Sequence, residues 1–213
     1  ACAHKNQYRQ RKRVQFRLCL LEKNDIMPFP IAHSLAGAAT FCLVSDLNNK
    51  HIKRFFVYIF AANLPYVDFI PYVLFPSEVT HRWHHAATHS FVFAAVAALL
   101  ISLGAKRVLN RSFSFEFVML FILVTTHVFL DYLTYAPRPP AGVMMFFPFS
   151  YERFSSPYLA FATSIRDSKG DFIPGLLSLG LAKEYLLEMV VFGPLLYVSV
   201  LIRKNIMLKR SLR

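Results

Sequence analysis

Residues Phe113 to Tyr135 read FSFEFVMLFILVTTHVFLDYLTY, an apolar run that ends two residues before Pro137-Arg138-Pro139-Pro140. About 20 predominantly apolar residues are what an α-helix needs to cross the hydrocarbon core of a bilayer, so the run predicts a membrane helix closed by a strong breaker. His127 and Asp131 interrupt its apolarity and lie four residues apart, on one helical face. An imidazole and a carboxylate in such a helix are costly in lipid and serve no packing purpose. They point to a polar site, or to a hydrogen-bonded pair that holds two helices together.

Working outward, the rest of the chain has the same character. Of 213 residues 55% are hydrophobic, with 22 Phe and a mean hydropathy of +0.41, which excludes an ordinary soluble domain with a water-facing surface. The expectation is all-α: an integral membrane helical bundle of about five transmembrane helices, at 32–48, 55–75, 89–105, 113–135 and 184–202. In the first, Gly37, Ala38 and Ala39 allow close approach by a neighbour. The second contains Asn63, Pro65, Asp68 and Pro71 and should kink or break in its second half. Thr88 is expected to cap the third. The long connection 136–171, rich in Pro, Ser and aromatics, is expected to close over the site with Phe146, Phe147 and Phe149 at headgroup level. The membrane domain is expected over 27–213.

The net charge of +12 is gathered in short clusters and not in one stripe, which disfavours a nucleic-acid partner. Basic turns at 50–54, 106–111 and 203–213 face the cytoplasm together if the chain enters from outside. His33, Asp68, the group His84, His85 and His89, and the pair His127 and Asp131 then fall at one level on the external side. Residues 1–26 carry Arg9, Arg11, Lys12, Arg13 and Arg17 and are read as a basic N-terminal arm or upstream extension. Three cysteines without Cys-x-x-Cys spacing indicate neither a disulfide framework nor a cysteine zinc site.

The second polar stretch is His84-His85-Ala86-Ala87-Thr88-His89-Ser90, three imidazoles within six residues. Imidazoles with nearby carboxylates suit a divalent metal, most simply zinc, which takes three or four N/O ligands and keeps a position for water. One assignment places His33, His89, His127 and Asp131 around the metal. Asp68 then serves as ligand or general base, and His84 as proton donor to a leaving group. Arg82, His85, Thr88 and Ser90 would surround the ligands or bind an anionic group. The peptidase pattern His-Glu-x-x-His is absent from the sequence.

The order Pro30-Ile31-Ala32-His33, Leu64-Pro65-Tyr66-Val67-Asp68, His84 to Ser90, His127 to Asp131, then Gly142 leading into Phe147-Pro148-Phe149 resembles the YdjM-like family of predicted inner-membrane metal-dependent hydrolases, some of them LexA-regulated. The resemblance covers approximately residues 28–150. It implies a multi-pass protein of the bacterial inner (cytoplasmic) membrane and a metal site in these motifs. Tyr66 stands where the family pattern has its first Asp, Phe69 where a His often follows the second, and His85 where an Arg is usual. Asp68 alone therefore represents the second motif, and Arg82 is the nearby basic residue.

Three function classes follow. The first is a membrane-bound metal-dependent hydrolase that attacks a phosphoester or lipid-associated ester with metal-activated water at the external face. Membrane lipid would be its partner, and a lipid or small molecule its substrate. Arg82, Arg138 and Arg153 flank the site and can pair with phosphate. The second is a proton- or metal-coupled transporter, which needs ionisable groups near the midplane and an exit on the cytoplasmic side. The third is a noncatalytic helical membrane protein whose polar cluster, with or without a structural metal, only holds the bundle.

Overall fold

A computed structural model describes residues 30–45, 51–68, 70–71, 85–106, 112–135, 142–156, 161–162 and 179–212. They form five α-helices: α1 Pro30–Val44, α2 Ile52–Asn63, α3 Phe91–Gly104, α4 Phe113–Tyr132 and α5 Leu179–Ser211. A two-residue parallel pair, β1 Thr134–Tyr135 and β2 Phe161–Ala162, and an isolated antiparallel bridge between Val143 and Phe154 accompany them. The expected all-α bundle is present. The N-terminal arm, Arg82, His84 and Arg138 lie outside the described residues.

The expectation of five crossings requires correction. Two helices are long and apolar enough to span a membrane, α4 and the stretch Tyr185–Lys209 of α5, whereas α1 and α3 are shorter apolar helices. At 1.5 Å per residue, the 15 residues of α1 and the 14 of α3 reach only about 20 Å against a core of about 30 Å. Local chemistry sets those lengths. α3 begins at Phe91 because Ser90, and not Thr88, caps it: the Ser90 hydroxyl accepts the Phe93 N–H at 3.0 Å. α2 stops at Asn63, before Pro65, and continues as the 3-10 turn Leu64–Asp68, the break its prolines predict.

Packing follows residue size. α1 lies against both α2 and α5, α3 against α4, and α2 against α4. At Gly37 an added Cβ would come within 3.0 Å of the Tyr58 carbonyl and 3.2 Å of the Ala62 Cβ, so the α1–α2 contact depends on the missing side chain. Phe41, Tyr58, Ala61, Ala62, Ala94, Ala98, Leu120, Leu123 and Val124 make the main core. On α5 the buried polar residues Glu188, Ser199 and Arg203 recur at helical spacing, while Leu186, Val190, Val198 and Ile202 are exposed. One stripe faces the bundle, and the apolar remainder is a surface suited to lipid.

Candidate metal centre

The site forms where the C-terminal end of α4 meets the start of α1, the end of α2 and the entrance to α3. His127 and Asp131 are both buried on one face of α4, and their near atoms, Nε2 and Oδ2, are 3.2 Å apart. His33, in the first turn of α1, stacks on His127 with ring centroids 3.7 Å apart and brings its Nε2 to 3.6 Å from Asp131 Oδ1. From the segment before α3, His89 Nε2 approaches Asp131 Oδ2 at 2.9 Å and His85 Nε2 at 3.9 Å. Four imidazoles thus converge on one carboxylate, all of them buried.

The surroundings decide which nitrogen faces inward. His127 Nδ1 lies 2.7 Å from the Ala62 carbonyl oxygen, which can only accept, so Nδ1 carries a hydrogen and, in the neutral ring, Nε2 turns a lone pair toward Asp131. His89 Nδ1 is 3.4 Å from Asp68 Oδ2 and 3.0 Å from the Thr88 hydroxyl. With the proton held on that side, its Nε2 lone pair also faces Asp131. Burial pushes the His89 imidazole below its ordinary value of 6.5 despite the opposing pull of Asp131, so it is neutral near pH 7. Tyr66 packs edge-on against His127 and His33, at 4.6 and 5.3 Å between centroids. Burial, reinforced by the charges of Asp131, Glu188 and Asp68, holds its phenol well above the usual range and therefore protonated.

These contacts leave an electrostatic deficit. His127 Nε2, both His33 ring nitrogens and Asp131 Oδ2 are buried and have no hydrogen-bond partner among the described residues. Where a neutral His127 or His89 turns its Nε2 lone pair on Asp131 Oδ2, at 3.2 and 2.9 Å, the two acceptors repel one another unless a cation lies between them. One added proton would relieve only one of these two contacts. A divalent cation with N/O ligands fits the donor set, and two triads, His33-His127-Asp131 and His85-His89-Asp131, have ligand atoms close enough to hold one.

The profile of the YdjM inner membrane protein family matches residues 27–206. The chain belongs to that family. No curated protein and no solved structure matches it. For this YdjM-family chain the family places the protein among inner membrane proteins, in keeping with its two helices long enough to cross.

His33, His89, His127 and Asp131, expected as ligands, stand together, and Asp68 borders them. Thr88 reaches His89, while Ser90 serves as the α3 cap and donates to the Ala87 carbonyl at 2.8 Å. His85, expected outside the ligands, has its ring 4.7 Å from that of His89 and faces Asp131. The connection after α4 does reach the site: Met144 N–H donates to the His85 carbonyl at 3.0 Å, Phe91 N–H to the Met145 carbonyl at 3.0 Å, and Ser156 N–H to the Tyr132 carbonyl at 2.9 Å. Phe146 and Phe149 are exposed at its tip.

Two residues escaped the sequence reading. Glu188 of α5 is buried and accepts the Ala32 N–H at 3.0 Å, beside His33. A carboxylate in the apolar run 184–202 was the available signal. Arg54, taken as part of a polar turn, is buried near the start of α2. There its Nε lies 3.6 Å from Glu116 Oε1, while the Tyr58 hydroxyl donates to Glu116 Oε2 at 2.8 Å.

Proposed function

We propose that this protein is a membrane-bound metal-dependent hydrolase whose centre is built on Asp131. The observation that carries this reading is the pair His127 Nε2 and Asp131 Oδ2, two buried acceptors 3.2 Å apart in an apolar helix, without hydrogen-bond partners among the described residues. His33, His85, His89, His127 and Asp131 are the residues that would hold the metal. A divalent metal there, zinc by its preference for such ligands, would supply Lewis acidity and lower the pKa of a water.

The other residues follow from their contacts. Asp68 accepts the His85 N–H at 3.1 Å and stands beside His89 Nδ1, so it orients two imidazoles. This positioning role accounts for its contacts more directly than the general-base role that its motif suggests. His84, immediately before His85, is the proposed proton donor to the leaving oxygen. Tyr66, kept protonated, can donate a hydrogen bond to a substrate oxygen.

A phosphoester or lipid-associated ester is the proposed substrate class, because the centre sits at the end of a spanning helix. Arg153 stands in the connection that follows α4, where its Nη1 donates to the Gly142 carbonyl at 3.0 Å. A transporter is less well supported. The other buried ionisable cluster on α4, Glu116 with Arg54, is separated from His127 by Leu120, Leu123 and Val124, about 16 Å along the helix with no titratable side chain on that buried face.

The test is elemental analysis of folded wild-type and His127→Ala protein, followed by a phosphoester and lipid-ester screen of the metal-loaded wild type. Stoichiometric metal and turnover in the wild type, both lost in folded His127→Ala, are expected. A folded wild type without metal, or undiminished activity in His127→Ala, overturns the reading.

A further inference from the structure

The donors fall into two sets that share one residue. His33 and His127 form one triad with Asp131, and His85 and His89 form the other; within each triad the ligand atoms lie within 4.8 Å of one another. A carboxylate has two oxygens to offer, and both are approached. His33 Nε2 faces Oδ1 at 3.6 Å, whereas His127, His89 and His85 gather around Oδ2 at 3.2, 2.9 and 3.9 Å. Resting on the metal-centre reading above, we propose that the site holds two divalent cations bridged by the Asp131 carboxylate, one bound by His33 and His127, the other by His85 and His89.

Coordination number favours two ions over one. Five protein donors around a single ion would fill its shell, whereas catalytic zinc keeps three protein ligands and an open position. Divided in two, the set gives each ion two imidazoles and one carboxylate oxygen. Paired ions stand about 3.5–4 Å apart in two-metal sites, a separation a bridging carboxylate accommodates.

The backbone of His85 supplies an independent argument. Its φ is +57°, the left-handed region that a residue with a Cβ rarely enters. The conformation is held from both sides, by Asp68 Oδ2 on the His85 N–H and by the Met144 N–H on its carbonyl. The product is an imidazole aimed at Asp131. Strain maintained by two hydrogen bonds is hard to reconcile with a residue that merely lines the site, and it fits one required as a ligand.

Charge is distributed in the same way. Two dications bring four positive charges, which one Asp131 cannot balance. Each half has a further carboxylate: Asp68 against the His85–His89 side, and Glu188 against the start of α1 beside His33. Buried cations need such compensation in a low-dielectric setting.

The experiment uses the full chain in detergent, stripped with a chelator and reloaded with Mn²⁺. Metal content is read by elemental analysis, ion–ion coupling by electron paramagnetic resonance, and folding by circular dichroism. Two Mn²⁺ per chain with an exchange-coupled signal are expected, falling to one uncoupled ion in either His33→Ala or His85→Ala. The wild-type stoichiometry decides the count even if a variant fails to fold. One ion per wild-type chain overturns the paired site while leaving a metal centre in place. Two uncoupled ions overturn the Asp131 bridge, and a folded wild type that takes up no metal overturns the hydrolase reading beneath it.

Discussion

Glu188, deep on α5, accepts a hydrogen bond from the backbone N–H of Ala32 at 3.0 Å, one residue before the His33 imidazole. The first N–H groups of a helix have no partner within it, and here a carboxylate from another helix supplies one for α1. The same contact fixes the turn that aims His33 at Asp131. Glu188→Ala is expected to cost about 1–3 kcal/mol by leaving a buried donor unsatisfied. It should also lower metal affinity about tenfold, the smaller end of what loss of an outer partner costs. Glu188→Gln keeps an acceptor for the Ala32 N–H and should retain most of the stability, while the loss of its charge should still weaken metal binding. Thermal unfolding in detergent and metal titration check these outcomes, and an unchanged affinity in Glu188→Ala would separate this contact from the site.

Arg54 and Glu116 make a second buried polar cluster, far along α4 from His127. Removing one member of a buried ion pair leaves the other charge uncompensated, at about 3–5 kcal/mol. Glu116→Ala is therefore expected to destabilise strongly, while the double variant Arg54→Met with Glu116→Leu is expected to recover much of the loss. Metal bound per folded molecule should be the same in both. A fall in metal content of the folded double variant would show that the two clusters are coupled.

How much of this was legible in the sequence depended on periodicity. His127 and Asp131 could be paired because a helix places residues four apart on one face, and α4 is a long uninterrupted helix. His33, Asp68 and His89 could be brought to the same end because helices connected by short turns alternate in direction. What periodicity does not encode was missed. The inward aim of His85 comes from a single left-handed residue between two hydrogen bonds, which no spacing reveals. The lengths of α1 and α3 were overestimated because composition marks where apolar residues lie. The Ser90 cap and the end of α1 at Val44 mark where the helices stop. Glu188 and Arg54 carry no role in the sequence pattern because their partners lie on other helices, at Ala32 and Glu116.

The segment 142–156 joins an aromatic tip to the metal centre. Val143 and Met145 are buried against Val128, whereas Phe149 is 86% and Tyr151 70% exposed. Aromatic side chains at the end of a spanning helix suit the headgroup region, where one part of the ring is apolar and the rest wet. With Trp83, the one native Trp, replaced by Phe, a Phe149→Trp reporter is expected to be quenched by lipids brominated near the top of the acyl chain. Strong quenching by aqueous acrylamide with no effect of brominated lipid would place the tip in water and sink the idea.

Acid should release the metal and weaken the emptied fold in the same range. The unfolded chain's imidazoles bind protons near 6.5, whereas burial holds His89 below that value in the folded state. As pH falls through 6.5, the unfolded state takes up more protons than the folded one, so the stability of the metal-free bundle declines. The decline continues until pH passes below the folded value of His89. Metal binding sharpens this dependence, because each ligand imidazole must give up its proton to bind. The metal-loaded protein is therefore expected to be stable at pH 7.5, to lose metal as pH falls through 6.5 toward 5, and to recover it on return to pH 7.5 if the chain remains folded. Chelator at pH 7.5 should lower the unfolding temperature without the pH change. Parallel metal analysis and thermal scans check both arms. Metal retained in full at pH 5, or an unfolding temperature indifferent to chelator, would mean that these histidines are not what holds a metal in this bundle.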